Sequence, residues 1–480
     1  MKTRIKKKEY YFFIEEQMFT RLEKLVEENN KIHTKGKYKL KLDVAVFFID
    51  YIQMQTIKRK DKLENGYVRL KAKYLSEYHK NYATYINFLI KEDFIKRIPY
   101  DLIKKKCHGF KIILPMSEKG IKRNIMKYSP LDFTFNKKVM GNPHYLKAKK
   151  RADRKCSHLT KWLNSESISF NYEGALEYIH SLDINDNKLF KKRYCIEAFK
   201  EGQIHYSRSG KDDRLHSNLT NMPSDLRRFV SHKNENLISL DLKSSQPFLL
   251  AGILNLCLLE DYARLERIIE MLYKDIGDIL SDVVSVTIPK TSDWCVNKGV
   301  RAFINLVLNE DIYVHIGSKF SEKFLKSISN NNGFRDKIFN KNKNRKVFCY
   351  FDTIRDFSKK AMLEYLYCST ESPEKRYSEI RRIFPDAVNE FVDEMKAINK
   401  NDFPIILQNI EAHLFLDEIT REIALERPSL FIATIHDSII VPEGNEEYVE
   451  RKMIEKLTST FGIVPTIKQE CWCDSLQIAS

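Results

Sequence analysis

Two apolar segments, far apart in the chain, each place an aspartate where a strand ends. Residues 236–241 have the sequence Asn-Leu-Ile-Ser-Leu-Asp and precede a helical pattern, while residues 430–442 predict a β-hairpin with His436 and Asp437 at its turn. A strand holds such a carboxylate in place because its backbone is stiff. Asp241 and Asp437 could therefore hold two Mg²⁺ ions about 4 Å apart, an arrangement that serves in-line phosphoryl transfer. Considered singly, each aspartate is more typical of a turn or a helix cap.

A basic segment lies between these two aspartates. Six of its residues recur at intervals of four along two adjacent rows: Lys337, Lys341 and Arg345, then Asn342, Lys346 and Tyr350. Residues four apart share one face of a helix, so the spacing predicts a basic helix. Such a face could present a cation to a triphosphate and an aromatic ring to a base. A basic helix that simply faces solvent is an equally good interpretation of the spacing alone.

The composition indicates a polyanionic partner. The 480 residues include 82 Lys and Arg against 65 Asp and Glu, which leaves a net charge of +17. Nucleic acid is the simplest partner for such an excess, although lysine-rich composition is also common among ordinary cytosolic proteins. No stretch approaches the ~18 apolar residues of a membrane span, and no apolar signal core follows the basic N-terminus. We therefore expect a cytoplasmic protein without a membrane partner.

The chain length limits the number of domains, and the cysteines bear on disulfides and zinc sites. A chain of 480 residues predicts two to four domains. The nine cysteines are scattered and odd in number, so they predict neither a disulfide framework nor a zinc site.

Residues 1–120 have a pattern of helix, strand, two helices and a hairpin. The predicted elements are a helix at 42–52, a strand at 67–70, helices at 71–77 and 81–91, and hairpin strands at 94–98 and 109–115. This order resembles a winged helix-turn-helix domain, which implies that one helix enters a DNA groove and that the Lys104–Lys106 loop contacts phosphates. A small α+β protein-interaction module is the alternative. Residues 121–165 are basic and poorly patterned, and we predict a linker there.

From about residue 200 onward the order of segments resembles the polymerase domain of family A DNA polymerases and of the related single-subunit phage-type RNA polymerases. Besides the two aspartates, four segments support this likeness: residues 213–223 (Asp-Arg-Leu-His-Ser-Asn-Leu-Thr-Asn-Met-Pro), residues 227–230 (Arg-Arg-Phe-Val), residues 403–412 (Phe-Pro-Ile-Ile-Leu-Gln-Asn-Ile-Glu-Ala) and residues 469–472 (Gln-Glu-Cys-Trp). Asp241 and Asp437 then fall where the family has its two metal-binding aspartates.

The resemblance implies an α+β fold of right-hand polymerase architecture over residues 166–480. It implies a palm sheet, fingers at about 259–360 and a reduced thumb, and a template-dependent DNA polymerase that uses two Mg²⁺ ions, a DNA primer-template and nucleoside triphosphates. It also assigns roles to individual residues. The implied roles are metal binding for Asp241 and Asp437, charge neutralisation on the triphosphate for Arg345 or Lys346, nucleotide contact for Tyr350, Gln246 and Lys341, and nucleic-acid contact for Arg214, Arg228, Gln408 and His436.

The sequence departs from the family at the position that selects the sugar. Gln246 stands where the DNA polymerases have a glutamate that excludes a 2′-hydroxyl and where the RNA polymerases have a glycine. A glutamine of the same size without the charge predicts a weakened preference for deoxynucleotides, with a looser hydrogen bond to a neighbouring aromatic residue. Ser438, which follows His436 and Asp437, matches the RNA polymerases instead.

The length of the N-terminal region indicates which kind of polymerase to expect. Its roughly 160 residues are about one domain, too few for a proofreading exonuclease together with a full thumb, so we expect a non-proofreading enzyme suited to plasmid, phage or mobile-element replication. The alternatives are a replication or control protein with an inactive polymerase fold, and an RNA polymerase or primase. The sequence leaves the oligomeric state open.

Overall fold

A computed structural model gives the fold as a mixture of α-helices and antiparallel sheets, in agreement with the coarse α+β class. It describes residues 11–473 except for residues 37, 60–62, 103–104, 115–123, 133, 136–138, 140, 165, 185, 291–292, 331–332, 341–344 and 398. Among the residues so described, no helix is long and apolar enough to cross a bilayer.

The N-terminal part packs helices and short strands around one apolar core. Its elements are β1 (Phe12–Glu15), α1 (Glu16–Ile32), α2 (Leu42–Lys58), β2 (Val68–Arg69), α3 (Ala72–Tyr78), α4 (Tyr82–Lys91), β3 (Ile95–Ile98), β4 (Gly109–Ile112) and β5 (Ile125–Tyr128). An antiparallel sheet has the order β2-β4-β3, and β1 pairs with β5. Helix α2 is apolar on nearly all sides because these elements surround it. The strand, helices and hairpin predicted between residues 67 and 115 are thus confirmed as secondary structure.

The segment predicted as a linker is partly folded onto this N-terminal core. Strand β5 lies inside it, and the Tyr128 hydroxyl donates a 2.5 Å hydrogen bond to the Asp43 carboxylate in α2. Phe135 and Val139 join the same buried cluster. The packed unit therefore extends past the boundary predicted at residue 120. A strand of four residues gives too short an alternation to stand out from its basic surroundings.

The remaining elements surround a second, larger core. Up to the central strand they are α5 (Pro143–Lys155), α6 (Ser157–Thr160), β6 (Ser169–Phe170), α7 (Tyr172–Ser181), α8 (Asp186–Lys200), β7 (Tyr206–Ser207), β8 (His216–Ser217), α9 (Asn218–Asn221), a 3₁₀ helix (Ser224–Phe229), β9 (Val230–Ser231) and β10 (Leu237–Leu242).

Helices dominate the middle of this part, and a hairpin and a strand close it. The elements are α10 (Ser245–Leu258), α11 (Tyr262–Glu270), α12 (Lys274–Lys290), α13 (Trp294–Asn309), α14 (Ile312–Lys319), α15 (Glu322–Ile328), β11 (Ser329–Asn330), β12 (Gly333–Asn340), β13 (Arg345–Phe351), α16 (Ile354–Tyr367), α17 (Lys375–Ile383), α18 (Asp386–Glu394), α19 (Asp402–Ala412), α20 (Thr420–Glu426), β14 (Ala433–Ile435), β15 (Ser438–Pro442), α21 (Glu446–Phe461) and β16 (Ile467–Trp472). Between α19 and α20 the helix continues through a π-helical stretch, His413–Ile419.

The central sheet of this part has the order β14-β15-β10-β16 and is antiparallel throughout. Strand β10 is an inner strand that is buried on both faces, and this burial is why its sequence is almost continuously apolar. Helices α10 and α21 cross closely at Gly252, where a methyl group would lie 2.4 Å from the Phe461 ring. The strand and the hairpin predicted around the two aspartates are both confirmed as secondary structure.

The prediction of a basic helix is wrong, because residues 333–340 and 345–351 form two paired antiparallel strands. Strands β12 and β13 pair with Arg335 opposite Tyr350 and Lys337 opposite Phe348. A recurrence every four residues also fits a strand, where every second side chain lies on the same face. The β-branched and aromatic residues of the segment, such as Val347 and Phe351, favour the strand.

The two cores meet where α8 packs against β1 and β5. The Tyr194 hydroxyl in α8 donates a 2.7 Å hydrogen bond to Oδ1 of Asp50 in α2, and the Phe13 backbone N–H donates to the same oxygen at 3.2 Å. Burial raises the pKa of Asp50 to about 7. A buried carboxyl group thus ties the N-terminal part to the larger core.

Candidate active site

The two aspartates lie side by side at one end of the central sheet. In the ladder between β10 and β15, Asp241 stands opposite Ser438, the residue after Asp437. The Leu242 backbone N–H donates to the Asp437 carbonyl oxygen at 3.3 Å, and the Ser438 hydroxyl donates to Asp241 Oδ1 at 2.5 Å. The structure therefore brings together the pair that the sequence singled out.

A strained turn presents Asp437. His436 and Asp437 connect β14 to β15, and His436 has a φ of 55°, in the left-handed region. A sparsely populated backbone conformation costs a non-glycine residue about 1–3 kcal/mol, so the flanking structure has to impose this conformation. The pairing of Ile435 with Ser438 and the burial of both strands supply that constraint.

The carboxyl group of Asp437 is in an unfavourable electrostatic position. Burial raises the pKa of Asp437 well above its ordinary value, the negative charges of Glu411 and Asp241 raise it further, and the Arg214 guanidinium opposes the shift. Like charges held together in a half-buried place disfavour the ionised form. A cation bound between Asp241 and Asp437 would remove this penalty.

A third acidic residue, Glu411 in α19, organises the site and was missed by the sequence reasoning. It is 1% exposed. Its Oε1 accepts hydrogen bonds from Nε and Nη2 of Arg214, at 2.9 and 2.6 Å. Its Oε2 accepts from the Ser245 hydroxyl and from Nε2 of Gln246, each at 3.0 Å. The signal available in the sequence was a single glutamate between the apolar residues Ile410 and Ala412.

The loop that bears Arg214 is fixed by a buried arginine. Arg208 is fully buried; its Nη1 and Nη2 each donate to Asp417 at 2.6 Å, and its Nε donates to the Asp213 carbonyl oxygen at 2.8 Å. Asp213 has a φ of 48°, which turns the chain immediately before Arg214. Asp417 belongs to the π-helical stretch, a local irregularity that is frequent at functional sites.

Two histidines border the aspartates. His216 Nε2 lies 3.3 Å from Asp212 Oδ2, and the rings of His216 and His436 are 6.2 Å apart. Burial lowers the pKa of His436 to about 4, and the nearby cation Arg214 lowers it as well, so the ring is neutral at physiological pH. Nδ1 of His436 is buried and has no hydrogen-bond partner in the described part of the chain.

Two adjacent arginines, Arg227 and Arg228, have different partners. The Arg228 guanidinium lies 3.9 Å from the centre of the Tyr178 ring. The Arg227 guanidinium lies 5.8 Å from the centre of the Trp472 ring; burial lowers its pKa, and the carboxylates of Glu470 and Asp241 oppose that shift. The nucleic-acid contact predicted for Arg228 stays a prediction.

The two predicted glutamines lie at the site but have unexpected partners. Gln246 donates to the carboxylate of Glu411 instead of to an aromatic residue, and its Oε1 is buried with no partner among the described residues. Gln408 Nε2 donates to the Tyr367 hydroxyl at 2.9 Å. Burial raises the pKa of Tyr367 and the positive charge of Arg214 opposes the rise, so Gln408 and Arg214 border the same surface.

The described residues of the predicted basic helix lie on the two hairpin strands. Tyr350 lies on β13 with an exposed ring. Arg345 and Lys346 begin the same strand, and their predicted action on a triphosphate stays a prediction. Lys341 lies outside the described residues.

Comparison with known proteins gives a slight likeness to solved structures. No protein-family model and no curated protein matches the chain. A solved structure described as the POL domain of Pol1 from M. smegmatis in complex with DNA primer-template and dNTP is similar over 63% of this chain and 56% of that chain, with 10% identity and a TM-score of 0.36. This chain thus spans little more than half of the length of that one. Because so slight a likeness does not establish a fold or a family, the function has to be argued from the site.

Proposed function

We propose that this chain is a template-dependent nucleotidyltransferase, most simply a DNA polymerase, whose reaction centre is the sheet end with Asp241 and Asp437. The observation that supports this is the position of Asp241 on β10 beside the turn that bears Asp437 and leads into the adjacent strand β15, a half-buried place where Asp437 has a raised pKa. Such a pair is unfavourable unless a cation shares it. Nucleotidyl transfer develops negative charge on phosphoryl oxygens, and cations at this place would offset that charge.

The available donor atoms suit Mg²⁺. Asp241 and Asp437 offer hard carboxylate oxygens, whereas both oxygens of Glu411 already accept hydrogen bonds. In the part of the chain that the structure describes, no group of three or more His, Cys, Asp and Glu residues could hold a metal ion by itself. Mg²⁺ commonly takes one or two carboxylates and completes its shell with water and substrate phosphate. Two Mg²⁺ ions on the two aspartates would neutralise triphosphate charge and lower the pKa of an attacking hydroxyl.

The residues around the aspartates would position the substrates. Arg214 donates to Glu411 through two atoms, so its guanidinium is held in one orientation and could face a phosphate. Arg227 has a buried Nε without a partner among the described residues and lies near Asp241, which suits a second phosphate contact. The neutral ring of His436 could accept or donate one hydrogen bond to the nucleic-acid strand whose hydroxyl reacts.

Gln246 is the proposed sugar-selecting residue. Its hydrogen bond to Glu411 fixes the side chain at the start of α10, and its buried Oε1 has no partner in the described chain. A side chain held in this way excludes a 2′-hydroxyl by its bulk, so deoxynucleotides are the preferred substrates. The amide N–H donates a charge-assisted hydrogen bond to the Glu411 carboxylate, which an ionised glutamate at this position could not do.

The finer architecture follows from the same proposal. The sheet β14-β15-β10-β16 would be the palm, and the helices and hairpin between about 259 and 360 would be the fingers. The N-terminal part would be a winged-helix-like domain that binds duplex DNA through α4 and the β3–β4 hairpin, where Lys96 and Arg97 are exposed. Lys106, predicted to contact phosphate, forms an ion pair with Glu64. A small enzyme of this kind suits plasmid, phage or mobile-element replication.

Primer extension by the purified protein tests the proposal. Wild-type protein should extend a DNA primer on a DNA template with Mg²⁺ and lose this activity in excess chelator. Asp241→Ala and Asp437→Ala should each reduce the rate by roughly a thousandfold, because charge neutralisation in such a site contributes several kcal/mol. Asp282→Ala, an exposed aspartate on α12, is the matched control and should keep the wild-type rate.

Two results would contradict the proposal. Near wild-type extension by Asp437→Ala would show that the sheet end is not the reaction centre. Tight DNA binding by the wild-type protein without extension under any divalent metal would favour a replication or control protein with an inactive polymerase fold.

A further inference from the structure

The hairpin of β12 and β13 has one face that is packed against the larger core. Phe334 and Phe351 contact that core, and the Phe351 and Phe357 rings are 5.3 Å apart. Asp336, on the same face, forms an ion pair with the buried Arg376 of α17. These contacts fix the orientation of the hairpin, so its opposite face is displayed in a defined way.

The displayed face, which we call the aromatic-cationic face, consists of Arg335, Lys337, Phe348 and Tyr350. Arg335 stands opposite Tyr350 and Lys337 opposite Phe348 in the ladder, so all four side chains lie on one side. The Phe348 and Tyr350 rings are 6.4 Å apart. Arg335 and Lys337 each lie over the Phe348 ring, at 5.0 and 5.2 Å from its centre.

This face exposes more aromatic surface than folding alone explains. Phe348 is 45% exposed and Tyr350 is 65% exposed, whereas the aromatic residues of the other face, Phe334 and Phe351, are partly buried against the core. Adjacent aromatic rings bordered by cations form a platform on which unpaired bases stack while phosphates are neutralised. An interface for another protein would favour fewer lysines at its centre.

The hairpin is connected to the proposed reaction centre through two helices. It leads directly into α16, where Arg355 Nε donates to Asp311 Oδ2 at 2.8 Å and lies 5.3 Å from the Tyr313 ring centre. Burial raises the pKa of Tyr313; a hydrogen bond with Ser244 opposes this and the negative charge of Asp437 adds to it. Tyr313 therefore lies between the foot of the hairpin and the aspartates.

We propose that the aromatic-cationic face binds single-stranded DNA by stacking bases on Phe348 and Tyr350. Arg335 and Lys337 contact the phosphates on either side. The choice of DNA over RNA rests on the proposed function, whereas the binding itself requires only this face. The strand bound there is the unpaired part of a template, beyond the base pairs that form at the aspartates.

Binding of a fluorescent (dT)₂₀ to the full-length protein, measured by anisotropy, tests this inference. The double variant Phe348→Ala/Tyr350→Ala should bind at least about tenfold more weakly, since each base stacked on a ring contributes a factor of roughly 5 to 150. Tyr350→Phe keeps a ring and should bind like the wild type. Lys337→Gln should make the salt dependence shallower by about 0.7 in the log–log slope.

Two controls make the result specific. Tyr262→Ala removes a ring that is 61% exposed on α11, and it should leave (dT)₂₀ affinity unchanged. A 20-base-pair duplex should bind the double variant and the wild type within about twofold, because paired bases offer no faces for stacking. Unchanged (dT)₂₀ affinity of the double variant, an equal loss for duplex, or an equal loss in Tyr262→Ala would overturn the inference.

Different results would refute the inference and the proposed function. The Asp437→Ala protein should still bind (dT)₂₀ through the hairpin and should lose that binding when Phe348 and Tyr350 are also replaced. Normal (dT)₂₀ binding by the double variant beside an inactive Asp437→Ala would overturn the hairpin inference alone. The hairpin variants should keep the melting temperature of the protein they are made in, because the four side chains are exposed.

Discussion

Asp437→Asn should stabilise the metal-free protein at neutral and higher pH. Asparagine keeps the shape of the side chain and removes one of the negative charges held near Asp241 and Glu411. Two unit charges about 4 Å apart near a protein surface repel by roughly 4 kcal/mol. Arg214 neutralises much of the charge of Glu411, and water screens part of the remainder. We therefore expect a gain of about 1–2 kcal/mol, which for a chain of this length is a rise of roughly 1–2 °C in melting temperature.

The sign of the pH dependence follows from the raised pKa of Asp437. The folded state holds this proton more tightly than the unfolded state, whose pKa is near 4. The carboxyl group therefore contributes most to stability at low pH, and the contribution is lost as the pH rises through the folded-state pKa. The variant and the wild type should have similar stability at acidic pH and diverge as the pH increases, with the variant more stable.

Melting curves in chelator and in Mg²⁺, from about pH 5 to about pH 8, provide the assay. In Mg²⁺ the wild type should gain stability by mass action, and Asp437→Asn should gain less, so the difference between them should shrink or reverse. A variant that is less stable than the wild type in chelator at the upper pH would refute the reasoning. So would a difference that stays constant across the pH range.

Three further outcomes are expected. Arg227→Ala should lower kcat/KM for nucleotide incorporation by about tenfold or more, whereas Arg228→Ala, whose guanidinium lies on Tyr178, should stay within about twofold. Gln246→Ala should raise kcat/KM for ATP relative to dATP, and an unchanged ratio would exclude Gln246 as the gate. Lys96→Ala/Arg97→Ala should weaken duplex DNA binding and reduce its salt slope by roughly two; an unchanged slope would point to another surface.

The sheet and its aspartates were predictable because each depends on residues that are close together in the sequence. The apolar run that ends at Asp241 and the turn residues around Asp437 lie within single short segments, and the pairing of β10 with β15 brings both to one sheet end. Asn65 and Gly66, both with positive φ, form another turn that neighbouring residues determine. In each case a few neighbouring residues determine the backbone, and the tertiary fold agrees with that preference.

The supporting residues were not predictable because their partners are distant in sequence. Glu411 acquires its role from Arg214, Ser245 and Gln246, which the fold brings to it from other segments. Arg227 and Arg228 are neighbours in the chain. The 3₁₀ helix, which turns about 120° per residue, gives their side chains different directions.

The construction of the sheet end bears on whether the fold is active. A two-residue hairpin turn is most stable with Asn-Gly or Asp-Gly, yet this one places His436 at positive φ. Replacing a buried ion pair such as Arg214 with Glu411 by packed apolar residues is often neutral or stabilising. The strained turn holds Asp437 beside Asp241, and the ion pair holds the Arg214 guanidinium near them, whereas a purely structural hairpin would need neither. Local rules broken together at one place are expected at a functional site, which favours a working catalytic centre over an inactive polymerase fold.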